Sequence, residues 1–157
     1  MPMTQPSADV RKAWMATLAK APPARLAELM PSLPPHDLLR APEVGAVMVR
    51  GRLGATGAPF NLGEMTVTRC SVRLGAGTGE EAGAGPVGHA WVQGRDKDHA
   101  RRAAVIDALM QTGAAPDLAA RVIAPLRAEA EARRAARAAR AAATKVEFFT
   151  MVRGEDA

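Results

Sequence analysis

The sequence has very few of the residues that staple or anchor a protein. Its 157 residues include one cysteine, Cys70, no tyrosine and five aromatic side chains. A single cysteine excludes an intramolecular disulfide and a zinc site made of several thiolates. No apolar run approaches the ~20 residues that cross a bilayer, and the N-terminus lacks the apolar segment of a signal peptide. We therefore expect a cytoplasmic protein without a membrane span, a metal or a cofactor.

The apolar content is high but contains few large side chains. Hydrophobic residues make up 48% of the chain, yet 35 of them are alanine, so part of the chain is expected to be Ala-rich helix. The net charge is +5, and arginines outnumber lysines by 17 to 4. A basic excess permits anionic ligands, whereas the scarcity of aromatic rings argues against stacking on nucleic-acid bases.

Hydrophobic periodicity predicts an α+β fold with a small antiparallel sheet. Two N-terminal helices are predicted over 9–30, with a break at Pro22-Pro23. Strands are predicted over 44–53, 64–74 and 87–93, and a C-terminal strand over 144–154. Before that last strand come a central helix, capped by Asp96 and stopped at Gly113, and a long Ala/Arg-rich helix over 117–143 that Pro125 kinks or splits. An extended connector over 32–42, with a single turn at 36–39, precedes the first strand. A flexible Gly-rich loop at 75–86 lies inside a single domain that covers residues 1–157.

The sequence contains no arrangement of residues that performs chemistry by itself. A P-loop, a dinucleotide fingerprint, an HExxH pair and an EF-hand loop are all absent. The histidines His36, His89 and His99 are scattered, and we favour structural roles over a two-histidine metal site. Cys70 has no base beside it and is interpreted as a buried packing residue. We therefore predict no catalytic residue and no metal ligand.

Arginines on the predicted strands are the candidates for recognition. Arg50, Arg52, Arg69 and Arg95 lie in or beside strands, and an even spacing puts Arg50 and Arg52 on one face. Guanidinium groups bind phosphate or carboxylate with two parallel hydrogen bonds, but arginine is also enriched at protein interfaces. Both interpretations stay open at this point: contact with a substrate phosphate, or contact with a partner.

The C-terminal segment turns apolar again after the Ala/Arg-rich helix. Phe148, Phe149 and Met151 lie in the predicted last strand and are candidates for a partner interface. Such a strand either completes the domain's own sheet or adds to the sheet of a partner. A binding or scaffolding subunit is favoured over an independent enzyme.

Several strings of the sequence resemble the PhnG family, small subunits of the bacterial carbon–phosphorus lyase core complex. They are VMVRGRLGATGAPFNLGEMTVTRCSVRL over 47–74, GRDKDHARRAAVIDALMQ over 94–111 and TKVEFFTMVRG over 144–154, with WMATLA over 14–19 similar as well. The chain departs from the family in the Ala/Arg-rich helix and in the Gly-rich loop, both of which are tolerant surface segments. The resemblance spans nearly the whole chain.

The resemblance implies a function in the catabolism of organic phosphonates. With sister subunits, the family forms ribose 1-methylphosphonate 5-triphosphate from ATP and methylphosphonate, and a separate radical subunit breaks the carbon–phosphorus bond. The resemblance implies a transferase subunit that is not catalytic alone. The single cysteine cannot hold an iron–sulfur cluster, which agrees with the chain not being the radical subunit.

The resemblance also names partners. These are the sister subunits, and we expect the nucleosidase-type subunit to be the chief one and the isolated chain to form a homodimer. From the residues themselves we expect no nucleic acid and no membrane as partner. The alternative is a free-standing module that binds anions, phosphate or nucleic acid.

Overall fold

The centre of the molecule is a three-stranded antiparallel sheet in the order β1-β2-β3. The structure is a computed structural model that describes residues 7–75 and 85–145. Its helices are α1 (Ala8–Ala19), α2 (Pro23–Leu29), α3 (Lys97–Leu109), α4 (Ala115–Leu118) and α5 (Ala124–Ala143), and its strands are β1 (His36–Arg52), β2 (Pro59–Leu74) and β3 (Val87–Gln93). The predicted α+β class is confirmed.

The first three helices begin where the sequence supplies a start signal. The Ser7 side chain caps α1, and the Asp96 carboxylate caps α3 by accepting a hydrogen bond from the His99 amide at 2.8 Å. Pro22 and Pro23 separate α1 from α2, because proline fits the first turn of a helix but cannot continue one. The predicted break and the Asp96 cap are confirmed.

Both strands of the first hairpin begin earlier than the sequence indicated. β1 begins at His36, so the predicted connector with a single turn over 36–39 is wrong, and β2 begins at Pro59 rather than at residue 64. Proline is tolerated on an edge strand and at bulges. The pairing of β1 with β2 shifts register between Arg40 and Glu43, which lets the strand pass Pro42 without losing the ladder on either side.

The long C-terminal helix is split just before Pro125. A π-helical turn, Ala119–Ile123, joins α4 to α5, and Pro125 lies in the first turn of α5, where its missing N–H is not needed. The split predicted from this proline is confirmed. It falls on the N-terminal side of Pro125 because a proline ring clashes with the carbonyl four residues earlier.

The core lies between α3 and one face of the sheet, with α1 and α2 closing its sides. Alternate residues of β2 and β3 are buried, and Cys70 is among them, as predicted. Burial raises the pKa of the Cys70 thiol, so this side chain stays a protonated packing residue. Gly88 permits the close approach of α3, because an added Cβ would overlap the Ala104 carbonyl oxygen and lie 2.6 Å from the Ala108 nitrogen.

Two predicted segments lie mostly outside the described residues. They are the Gly-rich loop, of which 76–84 are not described, and the C-terminal strand, of which 146–154 are not described. The loop joins β2 to β3 across a hydrogen bond from the Leu74 amide to the Pro86 carbonyl at 3.1 Å. The chain leaves α5 at Thr144 and Lys145.

Candidate interaction site

A two-stranded arm extends the sheet beyond its third strand. β1 and β2 pair along their whole length, whereas β3 pairs with β2 only from Val67 to Arg73. Residues 47–65, which we call the hairpin arm, therefore have no third strand beside them within the described chain. A two-stranded hairpin alone is marginally stable in water. The arm is thus suited to be completed by a partner.

One face of the hairpin arm is apolar and exposed. Phe60 lies opposite Gly51 in the register. An added Cβ on Gly51 would lie 3.6 Å from the Phe60 ring and 4.0 Å from the Leu62 Cβ, so Phe60 and Leu62 share this face. Leu62 is 66% exposed, and Leu53 in the turn at the tip is 74% exposed. Contiguous exposed apolar side chains of this size mark interaction sites.

The opposite face of the arm carries two of the predicted arginines. Arg50 lies opposite Asn61, and Arg52 lies opposite Pro59. The Arg52 guanidinium donates to the Gly57 carbonyl at 3.1 Å, while no ion pair joins Arg50 to a described residue. Both side chains are exposed. They are placed to contact an acidic or phosphate-bearing surface.

Arg69 is held within the sheet by two neighbours. It lies between Glu43 on β1 and Trp91 on β3. Its Nε donates to the Glu43 carboxylate, and its guanidinium carbon is 5.5 Å from the centre of the Trp91 ring, a cation–π geometry. Arg40 also donates to Glu43, at 2.6 Å. Hydrogen bonds from Arg40 and Arg69 hold the pKa of Glu43 below its usual range.

The four predicted arginines do not form one cradle. By strand alternation, Arg50 and Arg52 project from one face and Arg69 from the other. We call the second the open face, because none of the described helices packs on it at Arg69. Arg95 is exposed just after β3, next to the base of the arm, where the Gly94 amide donates to the Thr66 carbonyl at 2.9 Å. The sequence spacing predicted that Arg50 and Arg52 share a face. It did not predict that Arg69 lies on the other face.

The histidines have structural hydrogen bonds. The His99 Nε2 is 2.8 Å from the Leu18 carbonyl oxygen in the core, and His89 Nδ1 is 2.9 Å from the Ser71 hydroxyl on the open face. His36 Nδ1 is 2.8 Å from the Pro34 carbonyl. Over residues 7–75 and 85–145, no three His, Cys, Asp or Glu side chains are grouped to hold a metal.

Sequence reasoning missed one residue of this surface. Trp91 is 51% exposed and stacks with Arg69, and neither was predicted. The available signal was that Trp91 alternates with the polar residues His89 and Gln93, while the small apolar Ala90 and Val92 lie on the other face. Tryptophan and arginine are the residue types most enriched at binding hot spots.

The site as a whole is a recognition surface. Across the described residues it combines an apolar arm face, an exposed tryptophan stacked on arginine, and unpaired cationic side chains. It does not combine a nucleophile with an oriented base and an oxyanion site, which acyl or phosphoryl transfer requires. The described chain is a small α+β domain with an exposed surface suited to contact with another molecule.

Comparison with known proteins gives the family. The family described as phosphonate metabolism protein PhnG matches residues 9–154. A relative from Rhizobium meliloti (strain 1021), the alpha-D-ribose 1-methylphosphonate 5-triphosphate synthase subunit PhnG, is 46% identical over 151 residues, which cover 93% of this chain and 90% of the relative. The chain belongs to the PhnG family, and the resemblance seen in the sequence is confirmed.

Within the described ranges, no helix combines the length and the apolar composition that crossing a bilayer requires.

Proposed function

We propose that the chain is a subunit of the synthase that makes alpha-D-ribose 1-methylphosphonate 5-triphosphate in phosphonate metabolism. The relative from Rhizobium meliloti carries that name, and the two sequences align over nearly their full lengths. The observation that supports a subunit role is the hairpin arm. Its exposed apolar side chains, Leu53, Phe60 and Leu62, do not stabilise the protein in isolation and are typical of an interaction site. A cytoplasmic location belongs to the proposal, since ATP is the second substrate that the family resemblance implies.

The proposal assigns the docking surface to the hairpin arm and the adjoining open face. Phe60 and Leu62 supply an apolar patch on the arm, and Trp91 with Arg69 supplies an aromatic anchor on the same side of the sheet, in its three-stranded part. Arg50 and Arg52, exposed on the reverse face of the arm, and Arg95, exposed after β3, are candidates for contact with acidic groups at the edges of the partner. The nucleosidase-type sister subunit is the partner we propose.

The apolar tail gives a second set of candidate contacts. Phe148, Phe149 and Met151 lie outside the described residues, so their contact with a sister subunit stays a prediction. When the chain is isolated, the proposal expects a homodimer that hides the arm face.

The decisive experiment is affinity capture of this chain co-expressed with its sister subunits, read by native mass spectrometry. Replacing Phe60 and Leu62 together by serine should weaken capture at least tenfold, since central apolar anchors contribute most of the binding energy. Val10→Ser is the matched control, because Val10 is 54% exposed on α1 and away from the arm. Equal capture of both variants would overturn the assignment of the arm.

The alternative is a free-standing module that binds anions or nucleic acid through the arginines. Arg50 and Arg95, exposed and without an ion pair to a described residue, favour it. Such a module would bind polyanions without sister subunits, and its affinity would fall steeply with salt. Salt-sensitive binding of a phosphate polymer together with failed capture of every sister subunit would support it over the subunit role.

A further inference from the structure

The outer edge of β1 is the longest unpaired strand edge of the described chain. The sheet order is β1-β2-β3, so β1 has a neighbouring strand on one side only, and it is 17 residues long. An exposed strand edge is a template for pairing with another chain. Proteins protect such an edge with bulges, charged side chains, proline or a covering element.

These protections are confined to the two ends of β1. Register shifts interrupt the pairing with β2 on both sides of the stretch from Glu43 to Val49. Pro42 lies just before this stretch, and Arg50 lies just after it. Within it, residues 44–49 have the sequence VGAVMV, which contains neither a charge nor a proline. The middle of the edge is therefore left open to pairing.

Alternation along the strands decides which backbone groups of this stretch face outward. The Gly94 amide donates to the Thr66 carbonyl, so even-numbered residues of β2 direct their N–H and C=O groups toward β3 and odd-numbered residues direct theirs toward β1. From Met65 to Arg69, odd-numbered residues of β2 lie opposite odd-numbered residues of β1. The even-numbered residues of β1 therefore direct their backbone groups outward. They are Val44, Ala46 and Met48.

These three residues present six free backbone groups in a regular row. No described group meets the N–H or the C=O of Val44, Ala46 or Met48. One added strand would satisfy all six groups, since paired strands exchange hydrogen bonds at alternate residues. There is room beside the row as well, because an added Cβ on Gly45 would meet no described atom within 4 Å.

The side chains of this edge define the chemistry of the strand that fits it. Val44 and Met48 are 39% and 52% exposed, and they share one face of β1 with Arg50 by alternation. Arg50 is exposed and has no ion pair with a described residue. A strand that is apolar opposite Val44 and Met48 and carries an acidic residue opposite Arg50 therefore matches this edge.

A second copy of this chain matches the edge less well. Two copies of β1 could pair antiparallel about Ala46, since the free groups are arranged symmetrically around it. That arrangement would bring Arg50 and Arg52 of each copy against the end of the other copy that carries Arg40. Like charges opposite each other destabilise a strand pair. The charges therefore favour a different chain with an acidic end.

We propose that a sister subunit adds one extended strand to the outer edge of β1 over residues 44–48, with apolar side chains against Val44 and Met48 and an acidic side chain against Arg50. This inference rests on the proposed function and specifies how the partner is recognised. Main-chain hydrogen bonds provide the affinity, and the alternate side chains provide the specificity. Three paired strands are more stable than two, so the added strand also stabilises the base of the hairpin arm.

Amide hydrogen exchange tests the proposal by comparing the co-expressed complex with the isolated chain, resolved to single residues by fragmentation in the mass spectrometer. The Ala46 and Met48 amides should exchange at least tenfold more slowly in the complex, because each gains an acceptor on the added strand. The Gly45 and Val47 amides point to β2 and are the internal reference, slow in both samples. Equally fast exchange of Ala46 and Met48 in both samples would overturn the proposal.

Replacement of Ala46 by proline gives a second test. An edge strand tolerates proline where the N–H faces solvent, so Ala46→Pro should fold as the wild type does by circular dichroism. The added strand would lose one hydrogen bond and meet the proline ring, so capture by sister subunits should weaken at least tenfold. Ala46→Ser keeps the amide and is the matched control, with capture equal to that of the wild type. Undiminished capture of Ala46→Pro would overturn the strand addition.

The strand addition and the proposed function fail in different ways. If the wild-type chain captures no sister subunit, the proposed function fails and the strand addition fails with it. If the wild-type chain is captured while Ala46→Pro capture and Ala46 exchange are unchanged, only the strand addition fails. Slow exchange of Ala46 in the isolated chain would also overturn the strand addition alone, because this chain or a second copy would then cover the edge.

Discussion

Asp107 is a fully buried carboxylate on α3 that α1 and β3 both reach. Arg11 donates to it at 2.7 and 3.2 Å, the Trp14 indole N–H at 2.8 Å and the His89 amide at 2.9 Å. A buried charge is tolerated where it has an opposite charge and full hydrogen bonding, and is costly otherwise. This one side chain thus fixes the position of α1 against the sheet. It also fixes the walls of the cleft that lies between α1 and β3.

Asp107→Asn should destabilise the protein by about 3 kcal/mol, because the amide cannot accept all four hydrogen bonds and leaves Arg11 without its counter-charge. Urea unfolding followed by circular dichroism measures the loss. The matched control is Asp98→Asn on the same helix, where an exposed ion pair with Arg101 makes a change of about 0–1 kcal/mol the expectation. Similar losses in the two variants would contradict the role given to Asp107.

The sequence indicates one member of this interaction, the buried aspartate, but not its partner. An aspartate inside the apolar stripe of α3, directly after Ile106, indicates a buried carboxylate that needs a partner. The partner could not be chosen, because Arg11 is 96 positions away and the chain has 17 arginines. Arg69 was identified as a candidate from its place in a strand. Its stacking on Trp91 was not predicted, because here too the partner could not be chosen from the sequence.

Among the elements, the three strands are joined on the open face by one row of side chains. Glu43 of β1, Arg69 of β2 and Trp91 of β3 are register neighbours. Arg40 completes the row through its own hydrogen bond to Glu43. Cross-strand pairs of this kind stabilise a sheet, and here they hold the base of the hairpin arm to the rest of the sheet.

This row predicts a pH dependence. Hydrogen bonds from Arg40 and then Arg69 lower the pKa of Glu43 from its ordinary value of 4.5. The stabilisation is therefore complete above the ordinary pKa and is lost as the pH falls through the lowered one. The difference in the free energy of unfolding between the wild type and Glu43→Gln should be constant at neutral pH and should shrink in acid.

Urea titrations at a series of pH values measure that difference. Repeating them in an Arg40→Met background should flatten the pH dependence, because Arg40 is the largest cause of the lowered pKa. A difference that grows toward acid pH would show that the sign is wrong.

Element positions were predictable where periodicity was clean. The predicted bounds of β3 agree with the structure, as does the predicted end of β2, and the cap of α3 was predicted from Asp96. The start of β1 was missed because two register shifts, between Leu38 and Arg40 and between Arg40 and Glu43, break the alternation that identifies a strand. Whether a sheet face is covered depends on where α1 and α3 pack, and no local pattern encodes that.

On the scale of the whole molecule, the incomplete surfaces of the described chain lie together. The apolar face of the hairpin arm and the open face with Trp91 are the same side of one sheet. Gly51, opposite Phe60, and Glu43, opposite Arg69, lie on one side of β1 by alternation, and Trp91 is opposite Arg69. Burying Phe60, Leu62 and Trp91 together would remove large apolar surfaces from water at ~25 cal/mol per Å². A molecule that leaves this side bare gains by pairing with any surface of matching shape, including its own.

The isolated chain is therefore expected to form a homodimer in which the arm faces of two copies meet. Sedimentation equilibrium measures its dissociation constant, and Phe60→Ser with Leu62→Ser should raise that constant at least tenfold, whereas Val10→Ser should not. Because one face serves both associations, adding the sister subunit should convert the homodimer into the mixed complex by mass action. A homodimer that persists inside the mixed complex would place the two interfaces on different faces and contradict this assignment.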